Sequence, residues 1–251
     1  MSTIGSEAIL MVFLLFCRIG GCLMLMPGFS SSRVPVQVRL FIAVAVTLAL
    51  TPLLLPTLQS ATPDLEPAKL LSLIFSETLV GAMIGATGRL FFVALQFMAT
   101  AAAQFVGYGT MPGMPIEDNE PAPPLASLIT LTATVLIFLT DQHWELFRGL
   151  LASYSVLPVN EPLLTAFTLT KFTDAFSSTF ILALQISSPF IVYALFINFM
   201  VGLANKLTPQ IPVYFISLPF VLAGGLLLVY FTIGESLRLF MTAFLGWLLT
   251  G

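Results

Sequence analysis

The chain alternates long apolar runs with short polar breaks, and the lengths of the runs set the first expectation. A helix rises about 1.5 Å per residue, so about 20 apolar residues cross a hydrocarbon core. Six runs meet or approach that length: Ala8–Met26, Leu40–Leu58, Leu70–Phe105, Leu125–Thr140, Phe176–Leu203 and Val213–Ile233. A seventh, Leu237–Leu249, is too short to span and reads as an amphipathic tail or a continuation of the sixth helix. Two runs fit poorly. Leu70–Phe105 would be about 54 Å long as one helix, far beyond a core of about 30 Å, and Leu125–Thr140 is short. Either the long helix bends, or part of the protein stands outside the bilayer and buries apolar surface on other proteins. The last two spanning runs are divided by Asn205-Lys206-Leu207-Thr208-Pro209-Gln210-Ile211-Pro212. That break is too short for a domain, so the two runs form a hairpin with a polar tip.

Composition agrees with a membrane protein. Of the 251 residues, 58% are hydrophobic and 8% charged, with a mean hydropathy of +1.02, whereas soluble domains carry about 25% charged residues. The net charge of −3 is thinly spread and forms no basic patch, which excludes nucleic acid as a partner. Loop charges give no orientation. Arg33, Arg39 and Lys206 fall on one side of a serpentine path, and Lys69, Arg148 and Lys171 on the other. That tie argues against simple six-span topology. Cys17 and Cys22 have neither a redox nor a zinc spacing and read as small buried apolar residues. Met1–Glu7 lacks the positive region of a cleaved signal.

Candidate chemistry is sparse. Glu77 and Arg89 lie twelve residues apart in the third run, about 18 Å along a straight helix, so they do not pair within it. An ionised group among apolar residues costs at least about 2.5–3.5 kcal/mol at mid-membrane, so each needs a partner or water. Three readings of Glu77 stand: a partner on a neighbouring helix or subunit, an interfacial position, or a proton relay, which the absence of a second acid disfavours. Gly81 and Gly85 form a small-x-x-x-small face that lets another helix approach closely. His143 sits between Asp141 and Glu145, but ligands at i−2 and i+2 do not share a helical face. It reads as an interfacial loop or helix end, with Trp144 as an aromatic anchor. The stretch Gly107–Pro124 holds five prolines and three glycines, which forbid a regular helix. It reads either as a solvated linker or, through its two Met-Pro pairs, as a deformable constriction or interaction loop. No catalytic set, cofactor site or metal site is legible, so no enzyme is expected. A small-molecule carrier would show inverted repeats and midplane charges, and neither is evident.

Four blocks in order carry a resemblance over nearly the whole chain. The first runs from Arg18 and Pro27 through Ser32–Arg39 to Ala45–Pro52. The second is Ser76–Gly81 with Gly85, Arg89 and Gln104–Gly107. The third is Leu136–Trp144, and the fourth runs from Ile186 to Pro219 with Ser188-Pro189 and the Lys206–Pro212 corner. Together they resemble the FliR family of flagellar export-gate proteins, which includes the SpaR and YscT components of virulence secretion systems. One departure is local: Glu117-Asp118-Asn119-Glu120-Pro121 stands where the family has an Asp-Pro-rich segment.

The resemblance implies an all-α fold of polytopic membrane helical hairpins with long bent helices. It implies a FliP-like part over residues 1–172 with a plug loop at 107–124, fused to a FliQ-like hairpin and tail over 173–251. It places the chain in the bacterial inner membrane, within the flagellar basal body, as one subunit of a type III protein export gate. The implied partners are FliP-like and FliQ-like gate subunits, FlhB-like and FlhA-like export components, unfolded exported proteins and membrane lipid. Phe105 and Tyr108 would lead into a pore plug at Met111, Pro112, Met114 and Pro115. Glu77, Gly81, Gly85 and Arg89 would pack helices or subunits. Asn205, Lys206, Thr208, Pro209, Gln210 and Pro212 would form the hairpin tip at the cytoplasmic entrance. The mechanism expected is a passive conduit, and the alternatives are an equivalent subunit of a virulence system, a scaffold that stabilises the gate without lining its pore, or a small-molecule transporter.

Overall fold

A computed structural model describes residues 2–31, 34–59, 67–109, 123–159 and 165–250. Seven helices account for nearly all of them: α1 (Ser2–Leu25), α2 (Val36–Gln59), α3 (Pro67–Phe105), α4 (Pro124–Leu139), α5 (Gln142–Val156), α6 (Thr165–Leu207) and α7 (Val213–Thr250). Among the described residues there is no strand. Five of the helices are long and apolar enough to cross a membrane, and α4 with α5 adds a sixth if that pair is one bent span.

The long runs extend further than their apolar stretches. α3 is a single helix of 39 residues, about 58 Å at the usual rise. α6 begins eleven residues before Phe176, in a Thr- and Lys-containing stretch, and reaches 43 residues. α7 continues without a break through Leu237–Leu249, so that stretch is the continuation of the sixth run. One helix, α5, lies outside the apolar runs altogether. It starts where Asp141 takes a left-handed conformation at φ 59 and ends α4, and its amide register restarts with Trp144 N–H donating to the Asp141 carbonyl.

The chain divides into two compact units. One comprises Met1–Leu90, Asp141–Phe176 and Trp247–Gly251; the other comprises Phe91–Thr140 and Ser177–Gly246. In the first, α1 packs on α2, and Leu14, Leu15, Ile19, Cys22, Leu146 and Leu150 are buried. Buried Thr47 donates its hydroxyl to the Ala43 carbonyl one turn back, which keeps a polar group satisfied where water is absent. In the second, Phe92 meets Phe240 edge-to-face at 5.3 Å and Phe91 meets Phe244 at 5.8 Å. Such edge contacts set a ring's positive rim on its neighbour's negative face and fix the register of α3 against α7.

Candidate functional site

The most concentrated polar chemistry in the first unit sits where α1 crosses α3. Arg18 on α1 and Glu77 on α3 are each 1% exposed. Arg18 Nε donates to Glu77 Oε2 at 2.7 Å, and Nη2 donates to Oε1 at 2.8 Å. This is the bidentate fork, the strongest geometry an arginine and a carboxylate can adopt. The same guanidinium reaches α5. Nη1 donates to Ser153 Oγ at 3.2 Å, Nη2 donates to the Leu157 carbonyl at 2.9 Å, and the cation lies 4.0 Å from the centre of the Tyr154 ring. One side chain thus ties three helices, and the Leu157 carbonyl is one of the groups that a helix C-terminus leaves without an amide partner.

Glycines make the crossing possible. A Cβ on Gly81 would stand 2.0 Å from the Arg18 carbonyl oxygen, and one on Gly85 would stand 2.5 Å from the Cys22 carbonyl oxygen. Gly21 on α1 faces the Thr78 carbonyl in the same way at 2.9 Å. The two backbones are in direct contact, which brings a short acid such as Glu77 within reach of an arginine on the neighbouring helix. Arg89 lies half-buried three turns further along α3 and is not part of this set. The sequence carried a signal for the pair: Arg18 is the one charge in the first apolar run, and Glu77 is the one acid in the third, which it shares with Arg89. Ser153 and Tyr154 carried none.

In the second unit, α3 ends on a fixed exit. Gly107 has φ +83, its N–H donates to the Gln104 carbonyl, and the Tyr108 N–H donates to the Ala103 carbonyl. That pair of bonds is the Schellman motif, and glycine suits its left-handed position because it has no Cβ. Phe105 and Tyr108, half-buried, pack on Ala102, Val106, Phe190 and Val229. Met111, Pro112, Met114 and Pro115 lie outside the described residues.

The hairpin between α6 and α7 turns within five residues. Thr208 N–H and its hydroxyl both bond the Ala204 carbonyl, and Ile211 N–H reaches the Thr208 carbonyl. Pro212 needs no amide partner at the start of α7, and its carbonyl receives Phe215 N–H. Asn205, Lys206, Thr208, Pro209, Gln210 and Pro212 are all exposed. Lys206 sits in the last turn of α6, where a cation complements the helix dipole. His143 forms part of the first turn of α5, its ring 5.4 Å from that of Trp144. Among the described residues, no group of three or more His, Cys, Asp or Glu is placed to hold a metal ion.

The chain is 26% identical over 220 residues to the flagellar biosynthetic protein FliR of Caulobacter vibrioides, covering 86% of this chain and 85% of that protein. Identity to the protein of the same name from Aquifex aeolicus is 28% over 237 residues, covering 91% of this chain and 88% of that protein. For Escherichia coli FliR it is 26% over 211 residues, covering 81% and 76%. The sequence profile of the family described as "Bacterial export proteins, family 1" matches residues 9–246. With nearly every helix inside that match, the chain belongs to the bacterial export proteins, family 1.

Proposed function

We propose that this chain is a subunit of the flagellar type III protein export gate, set in the bacterial inner membrane with FliP-like and FliQ-like partners. Together they would form a pore through which unfolded axial proteins leave the cell, served by FlhA-like and FlhB-like components. The observation that carries this reading is the family match over residues 9–246, with relatives named for flagellar biosynthesis. A physical argument supports it. α3, α6 and α7 have apolar windows of 38, 38 and 37 residues, nearly twice what a bilayer covers. In α7 only 11% of the 18-residue apolar stretch that marks it as a span is buried within the chain. Apolar surface beyond the bilayer needs other protein to cover it. A gate built from several such subunits provides that cover.

Residue roles follow by position. Residues 1–172 correspond to a FliP-like part and 173–251 to a FliQ-like hairpin and tail. The Met-Pro segment at Met111–Pro115 acts as the plug, rooted by Phe105, Tyr108 and the Gly107 cap. The polar corner from Asn205 to Pro212 stands at the entrance, where it meets water, an FlhB-like partner or the exported chain. Glu77, Gly81, Gly85 and Arg89 hold the helices that carry these elements. The chain is a conduit component and carries out no catalysis; the driving energy comes from elsewhere. The test is genetic and biochemical together. Deletion of the gene should abolish motility, and an affinity-tagged copy that restores it should co-purify FliP-like and FliQ-like subunits from detergent extracts. A tagged copy that restores motility yet purifies without either would overturn the assignment.

A further inference from the structure

We infer that the glycine pair Gly224-Gly225 on α7 is a positioning seat for the exit of α3: Val106 fills it, and α7 thereby sets the direction in which the chain leaves α3. The consequence for the gate rests on the export reading, in which the stretch after that exit is the plug; the seat itself stands apart from that reading.

The seat lies wholly within the second unit and is made by a missing side chain. A Cβ on Gly225 would stand 2.4 Å from Val106 Cγ1, 2.8 Å from its Cβ and 3.0 Å from its Cα. Carbon atoms in ordinary contact lie about 3.5–4.0 Å apart. Turning the Val106 side chain removes only the first of these overlaps. A methyl at Gly225 therefore requires the backbone of α3 to retreat by roughly 0.5–1 Å. Both residues are buried, Val106 completely. A Cβ on Gly234 or Gly246, on the same helix, would have nothing within 4 Å. Among the glycines of α7, close approach is confined to this pair.

The neighbouring glycine admits the other helix of the hairpin. Successive residues on a helix point about 100° apart, and a Cβ on Gly224 would stand 2.8 Å from the Tyr193 hydroxyl of α6. That hydroxyl donates to the Val221 carbonyl at 2.7 Å. Val221 lies four residues before Gly225, so its carbonyl is the one that Gly225 N–H meets in a helical ladder. Tyr193, Gly225 and Val106 thus act at one level, and α6 is bonded to α7 at the turn on which α3 is seated. The exit follows at once. A Cβ on Gly107 would lie 3.8 Å from Leu222 Cδ2, an ordinary contact with the same stretch of α7. The Gly107 and Tyr108 amides close the Schellman motif, which ties the exit to the axis of α3. Val106 ties that axis to α7, so a displacement of the hairpin at this level carries the exit with it.

The test pairs a geometric readout with a functional one, both on the full chain. Gly225→Ala forces the overlap, Val106→Ala empties the seat by shortening a side chain, and Gly234→Ala is the control. In lipid nanodiscs, amide exchange at Gly107 and Tyr108 should be about tenfold faster in each of the first two variants and unchanged in the control, because both loosen the last turn of α3. The double variant should exchange more slowly than the two effects combined, since the added methyl takes up space that the shortened side chain leaves. In cells, Gly225→Ala, at unchanged membrane abundance and co-purification, should raise dye uptake toward that of a Thr110–Ile116 deletion. If Gly225→Ala does not accumulate, Val106→Ala decides by the same two readouts. Unchanged exchange, or strictly additive effects, would overturn the seat. Faster exchange without a leak, where the deletion does leak, would overturn its role in placing the plug. A deletion that does not leak strikes the plug reading instead, and the exchange result still decides the seat.

Discussion

Removing the Glu77 carboxylate tests the helix crossing most sharply. Glu77→Ala leaves the Arg18 guanidinium at 1% exposure with its two shortest bonds gone and only Ser153, the Leu157 carbonyl and the Tyr154 ring remaining. Breaking a buried ion pair on one side costs about 3–5 kcal/mol, because the surviving charge stays buried without its partner. At about 1.4 kcal/mol per decade that is at least a hundredfold in the folded-to-unfolded ratio, and roughly 6–20 °C in Tm for a chain of this size. Arg18→Lys should fall between, since an ammonium keeps the charge but not the fork. The double replacement Arg18→Met with Glu77→Met should recover most of the loss, because filling the volume with apolar groups removes both desolvation costs. The assay is thermal unfolding of the purified chain in mild detergent, with membrane abundance as a second readout. If the double variant is as unstable as Glu77→Ala, the cost lies in shape or backbone and the charge argument is wrong. A loss below about 1 kcal/mol for Glu77→Ala would place the pair in the class of exposed, weak ion pairs, contrary to its burial.

Other outcomes follow from the same geometry. Gly81→Ala should disrupt the α1–α3 contact, since its Cβ would meet the Arg18 carbonyl at 2.0 Å, while Gly202→Ala and Gly234→Ala, with nothing within 4 Å, should be neutral or slightly stabilising; thermal unfolding of the three variants compares them directly. Gly107→Ala should cost about 1 kcal/mol by forcing a Cβ into the left-handed position, and amide exchange at the end of α3 should rise with it. Deleting Thr110–Ile116 should make the closed gate leak small ions, read as conductance or dye uptake in cells; unchanged leakage counts against the plug assignment.

Much of this architecture was legible from the apolar runs, because lipid admits few alternatives to helix. Boundaries were less so. α6 starts well before its apolar run, since Thr, Lys and Asp residues continue a helix once it is nucleated. α5 has no long apolar run to announce it, and its start depends on the left-handed turn at Asp141, a backbone choice that pattern reading does not reach. At the crossing, the Gly81 and Gly85 spacing was visible while its partner helix was not. Periodicity says that a face is small; only the packed structure says that α1 fills it and brings Arg18 to Glu77. Tyr193 was invisible in the same sense, as a hydroxyl on an apolar helix gains meaning from the carbonyl it reaches.

The central claim, that this chain lines a protein-conducting path, is tested most directly by cross-linking. A photoreactive residue at Met111 or Met114, in a gate holding a stalled export substrate, should give an adduct with that substrate. Adducts confined to neighbouring gate subunits, with the substrate stalled in place, would contradict the conduit and leave the chain as a scaffold.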